Sequence, residues 1–132
     1  MNGSARPMFL QWMTAYGKAS AENDAQASAD LFTEDAEYYV SPFDEPITGR
    51  DAIHAYWRRG AQTLEDKQST YQILSVEDNL GIASWQSSFV VKESGKRFAL
   101  DCLFVVEFND EGLCRRFREW WHLRETDLVP RS

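Results

Sequence analysis

Phe117-Arg118-Glu119-Trp120-Trp121 is the stretch on which the reading of this chain turns. Alternation along a β-strand puts Phe117, Glu119 and Trp121 on one side of it. A carboxylate between two large aromatics must find a partner, hold a proton, or serve chemistry. Residues 84–91 and 98–108 alternate in the same manner, and with residues 113–123 they read as an antiparallel meander whose apolar face lines a pocket.

The turns set the expected rows across that face. A two-residue turn at Ser94-Gly95 pairs Ser87 with Cys102, and one at Asp110-Glu111 pairs Cys102 with Glu119. The rows then read Trp85, Phe104, Phe117; Ser87, Cys102, Glu119; and Phe89, Leu100, Trp121. A one-residue slip at Gly112 would turn Phe117 and Trp121 away from their neighbours, so the pattern argues against it. Cys102 falls on the apolar face and Cys114 on the opposite one, which predicts two free thiols. The outer face carries Asp101, Leu103, Arg116, Arg118, Trp120 and His122. That mixture is too apolar for water and too charged for a core, and suits the interface of a homodimer. Asp101, expected beside Trp120 with Arg118 and His122 diagonal to it, would form an ion pair there.

Working towards the N-terminus, the period changes from two to 3.6. Phe9, Trp12, Met13, Tyr16 and Ala19 form the apolar stripe of a first helix starting after Pro7. Asn23-Asp24 ends it, residues 25–32 make a short second helix, and residues 36–40 form a strand closed by Ser41-Pro42-Phe43. Residues 46–49 are expected to be loop. A third helix starts at Arg50, with Ile53, Tyr56, Trp57 and Ala61 on its buried side. Residues 69–76 supply another strand. Helices first and a meander afterwards predict an α+β domain.

The 132 residues suffice for one core. We read residues 1–127 as a single domain. Residues 128–132, Leu-Val-Pro-Arg-Ser, resemble a protease-site remnant and are set aside. With 21 acidic against 14 basic residues the net charge is −7, which disfavours nucleic acid and anionic membrane as partners. No apolar run approaches a membrane span, and the first six residues lack a leader's apolar core, so a cytoplasmic location is expected. His54 and His122 lie on separate elements without ligand spacing, so no metal is expected. No phosphate loop, nucleophile elbow or dinucleotide fingerprint appears, and no cofactor is expected.

Asp30-Leu31-Phe32-Thr33-Glu34-Asp35-Ala36, Ser41-Pro42-Phe43, Pro46-Ile47-Thr48-Gly49-Arg50-Asp51-Ala52-Ile53 and the closing Phe117-Arg118-Glu119-Trp120-Trp121 resemble the SnoaL-like branch of the nuclear transport factor 2-like superfamily. The likeness spans about residues 8 to 125. It implies a curved, mixed sheet wrapped by three helices into a cone, an α+β barrel with a deep apolar pocket. It does not choose among isomerase, cyclase, dehydratase, hydrolase and binding module. Against ketosteroid isomerases, Tyr16 matches the oxyanion-hole tyrosine, while Ser41 replaces the basic aspartate and Phe104 the protonated one. Against limonene epoxide hydrolases, Glu119 falls on the last-strand aspartate, but Ser87 and Phe89 stand where an Arg-x-Asp pair belongs.

The expected catalytic pair is therefore Glu119, its pKa raised by burial, and Tyr16 as donor to an oxyanion. Tyr39, Ser41, Trp57, Trp85, Ser87, Phe89, Cys102, Phe104, Phe117 and Trp121 are the expected ligand-binding residues. Three functions fit these residues: a cofactor-free acid-base enzyme for a small apolar or aromatic molecule, a binder of such a molecule, and a dimerising module whose cone is plugged by its own aromatics.

Overall fold

The computed structural model describes residues 5–126. The set-aside tail 128–132 and residues 1–4 of the N-terminal stretch lie outside the described residues. Three helices, Ala5–Ala21 (α1), Ala25–Ala29 (α2) and Arg50–Thr63 (α3), pack on one side of a six-stranded sheet. The strands are Phe32–Tyr39 (β1), Ile47–Thr48 (β2), Leu64–Glu77 (β3), Leu80–Val91 (β4), Arg97–Phe108 (β5) and Cys114–Glu125 (β6). Their order is β2-β1-β6-β5-β4-β3, antiparallel except for the parallel pair β1 and β6. The α+β reading holds, with one difference: β2 and β3 are both edges, so the sheet curves without closing into a barrel.

The apolar stripe of α1 buries as its spacing predicts, with Phe9, Met13, Tyr16, Trp12 and Ala19 all inside. α2 stops at Ala29 because the chain is already extended at Phe32, four residues before the expected strand start. Asp24 caps it, its carboxylate accepting from the Ala27 N–H at 3.0 Å. Residues 47–48, expected as loop, pair with Tyr38 and Glu37 instead. Gly49 follows and opens α3, which Arg50 ties to β1 by donating from Nε to the Phe32 carbonyl at 3.0 Å.

Both meander registers differ from expectation by two residues. At the β4–β5 hairpin Val91 accepts from and donates to residues 95 and 96, closing a four-residue loop, so Trp85 opposes Cys102 and Ser87 opposes Leu100. At β5–β6 the Asn109 N–H donates to Leu113 O across a loop containing Gly112 at φ +79°, which only glycine adopts without strain. That loop supplies the one-residue slip the alternation argued against, and a bulge between Glu107 and Phe108 supplies a second. Two slips restore parity, so the inward set survives while its rows change: Gly81, Val106, Phe117; Ala83, Phe104, Glu119; Trp85, Cys102, Trp121. The same bulge brings Cys114 opposite Phe108 and into the core, correcting the expectation that it faces outward. Cys102 and Cys114 are both free and buried.

Aromatic rings from the first half of α1 interlock with rings from β1 and β5. Phe9 and Phe108 meet edge to face at 5.4 Å, and Trp12 contacts Phe32 and Phe108 at 5.8 and 5.9 Å. Each such ring contributes about 1.5–3 kcal/mol by burial. Gly81 belongs to this cluster by its absence of side chain, since a Cβ there would lie 2.5 Å from the Phe9 ring. On the outer face Asp101 opposes His122, and Leu103 opposes Trp120, two residues from the expected pairing. Leu103 and Trp120 are substantially exposed there, and so are Trp121 and Leu123 on the other face of β6.

Candidate functional site

Where α1 ends and α3 turns away, the concave face opens into a chamber of about 320 Å³. The change follows from the helix sequences. α1 presents Phe9, Trp12 and Met13 to the sheet in its first half, but Gly17 and Ser20 after Tyr16; α3 presents Ile53 and Trp57, then Gly60 and Thr63. Small residues at the ends of both helices leave the space unfilled. Its volume lies at the lower end of the roughly 300–1,000 Å³ of small-molecule sites.

Of the residues expected around the site, Glu119, Tyr16, Trp57, Trp85, Ser87, Phe89 and Phe104 line this chamber. Cys102 is buried on the same inward face, diagonal to Glu119, and is not among the residues that line the chamber. Phe117 is fully buried beneath the chamber, stacked on Tyr38 at 4.6 Å and on Tyr16 at 5.7 Å. Three expected residues lie elsewhere. Tyr39 borders a separate groove with Pro42, Arg118 and Trp120. Ser41 accepts from the Phe43 N–H in its own turn. Trp121 is 47% exposed, because β1 ends at Tyr39 and leaves that stretch of β6 uncovered; its indole donates to the Val40 carbonyl at 2.7 Å.

Tyr38, one residue from the expected Tyr39, is the tyrosine that faces inward. The signal was in the strand itself, since Glu37 and Tyr39 share a face and a charge marks that face as outer. The hydroxyls of Tyr16 and Tyr38 meet at 3.4 Å, both buried, and either can be the donor. Tyr56 and Lys67 complete the polar lining together with Arg59 at the rim. Sequence spacing put Tyr56 on the buried side of the third helix without assigning it to the site, and carried no signal for Lys67 and Arg59, because the end of α3 meets the start of β3 only in three dimensions.

The electrostatics follow from burial. Glu119 borders both the chamber and the groove beside Tyr39 and is half-buried. Desolvation raises its carboxyl to about 7, and the Cys102 thiol pulls it back only in part. Burial first, and the nearby Glu119 charge second, push Tyr16 well above an ordinary phenol. Tyr38 moves the same way, through burial and then Tyr16. Both phenols thus stay protonated and available as hydrogen-bond donors. Burial also raises the Cys102 thiol, with Glu119 adding to it, so Cys102 is no thiolate nucleophile. Among the described residues no three His, Cys, Asp or Glu side chains converge as metal ligands.

A family model described as a SnoaL-like domain matches residues 12–117. No curated protein matches the chain. Among solved structures, a Bacillus subtilis protein described as a "Putative Isomerase" superposes with a TM-score of 0.77 at 22% identity, covering 89% of this chain and 88% of that one. A Catenulispora acidiphila protein with a ketosteroid isomerase-like fold, in complex with trimethylamine, superposes with a TM-score of 0.73 at 17% identity, covering 83% of each. Those two likenesses concern the fold. No described helix is long and apolar enough to cross a membrane.

Proposed function

We propose, from the premise that this chain belongs to the SnoaL-like domain family, that its chamber takes a small, largely apolar or aromatic molecule and that Glu119 exchanges a proton with it. The observation that carries this reading is a half-buried carboxyl raised to about 7, set in the wall of a chamber that also holds the Tyr16–Tyr38 hydroxyl pair. Near neutral pH such a carboxyl is populated in both forms, which is what a general base that must also return its proton requires.

For an isomerisation the steps balance without a co-reactant. The Glu119 carboxylate takes a proton from the carbon between a carbonyl and a carbon–carbon double bond, and the electron pair moves onto the carbonyl oxygen to give a dienolate. A Tyr16 or Tyr38 hydroxyl donates to that oxygen; the carbonyl then re-forms, the double bond shifts, and its far carbon takes the proton back from Glu119-H. Cyclisation and dehydration draw on the same pair. Ser41 and Phe104, where ketosteroid isomerases keep acids, set this arrangement apart from that enzyme's. The outer face, with Leu103 and Trp120 exposed, is suited to a second copy of the chain, and we include a homodimer in the proposal.

Glu119→Gln tests the chemistry. With substrates drawn from small enolisable aromatic ketones, turnover should fall by at least about a hundredfold while ligand affinity changes little. An equal loss of both, or affinity without turnover in the wild-type protein, would favour a binder.

A further inference from the structure

Lys67 sits in a built irregularity. The β3–β4 register shifts between Glu65 and Gln68, and Asp66 inside that bulge takes φ +48°. Arg97 from β5 ion-pairs with the Asp66 carboxylate, and Gln68 donates to its other oxygen at 3.2 Å. Bulges re-aim the side chains they carry. Here the one re-aimed is Lys67, which lines the chamber with its ammonium 5.4 Å from the Trp57 ring centroid.

Two more donors gather at the same end. Arg59 stands at the rim with its guanidinium 6.0 Å from the Tyr56 ring centroid. Trp57 is only 9% exposed, and its buried indole N–H has no hydrogen-bond partner. Such an orphan is rare in a folded protein. Among the described residues neither Lys67 nor Arg59 has a carboxylate within ion-pair distance, although the chain holds 21 acidic residues. Glu119 does not serve them: burial is the cause of the Lys67 shift, and no cation contributes to that of Glu119. The two charges are separated by β5 and β4 in the sheet order.

We propose that the molecule bound in the chamber carries an anionic group, a carboxylate, seated between Lys67, Arg59 and the Trp57 indole, with its apolar body lying over Trp85, Leu100 and Phe104 towards Glu119. This rests on the reading of the chamber as a small-molecule site and adds the charge of its ligand. One end of the site offers donors without acceptors, the other a proton-exchanging carboxyl, and aromatic wall joins them. A carboxylate would satisfy the orphan indole N–H and stabilise the Lys67 charge that burial disfavours.

Calorimetric titration of the full chain with 2-naphthoate and with its uncharged amide, 2-naphthamide, below the Glu119 midpoint and at low salt, tests this. The naphthoate should bind at least about tenfold more tightly than the amide, a preference that added salt weakens. Lys67→Met should bring the ratio of the two affinities near one, and the exposed Arg59→Gln should lower it by a smaller factor. Amide binding serves as the check that each variant is folded. An equal affinity for both probes in the wild-type protein, or a preference that survives both substitutions, overturns the anionic end and leaves the chamber standing. Binding of neither probe overturns the chamber reading as well.

Discussion

At one end of the concave face, Phe9, Trp12, Phe32, Phe108 and Phe117 fill the space between sheet and helices; at the other, Trp57, Trp85, Phe89 and Phe104 surround a chamber of about 320 Å³. The side chains are of one kind, and the outcome differs because of what the helices bring. Rings on α1 meet rings on the sheet at the first end, whereas Gly17, Ser20, Gly60 and Thr63 face the second. The plugged cone and the open cone are therefore both present, side by side. Tyr16 and Tyr38 join the two ends: their rings pack into the aromatic cluster through Phe117, and Tyr16 also lines the chamber beside Glu119.

The largest effect expected of that division is at the filled end. Phe117→Ala removes a fully buried ring stacked on two tyrosines and should destabilise the fold by about 3–5 kcal/mol in chemical denaturation. A loss below about 1 kcal/mol would mean the cluster is looser than its geometry.

The open end should announce itself through pH. Glu119 has a folded-state carboxyl raised to about 7 from an ordinary 4.5, so the folded state binds its proton more tightly than the unfolded one. Stability is unaffected below about 4.5, falls as pH rises towards 7, and levels off above it. The loss amounts to at most about 3 kcal/mol, reduced by solvent at a half-buried group. Glu119→Gln should flatten that segment of the pH–stability curve; an unchanged slope would assign it to other groups.

The smallest effect is on the convex side. Trp120→Ser should change the stability of the isolated chain by less than about 1 kcal/mol, yet shift sedimentation from dimer to monomer. A wild-type protein that sediments as a monomer would contradict the homodimer.

Parity made the fold legible, and parity also hid the errors. Phe104, Phe117 and Glu119 face inward under the expected registers and under the observed ones, because two slips of one residue cancel. The rows were not legible, because a four-residue loop after Val91 and a bulge beside Glu107 leave little trace in composition. Cys114 was misplaced by the same bulge. Glu37 marks the outer face of β1 and so assigns Tyr38, not Tyr39, to the inside, while Trp121 is inward by parity yet exposed, which alternation alone does not reveal. Lys67 and Arg59 come together only through the packing of α3 on β3, which no local pattern reports. Glu119 was visible because a single charged residue in an apolar alternation is a local anomaly.

That anomaly is also the point at which the account is most exposed. Carbon-13 NMR titration of the Glu119 side-chain carboxyl, with its resonance assigned by loss in Glu119→Gln, should give a midpoint of about 7. A midpoint at or below the ordinary glutamate value of 4.5 would mean that the carboxyl is permanently charged in the chamber, and would remove it as the proton-exchanging group.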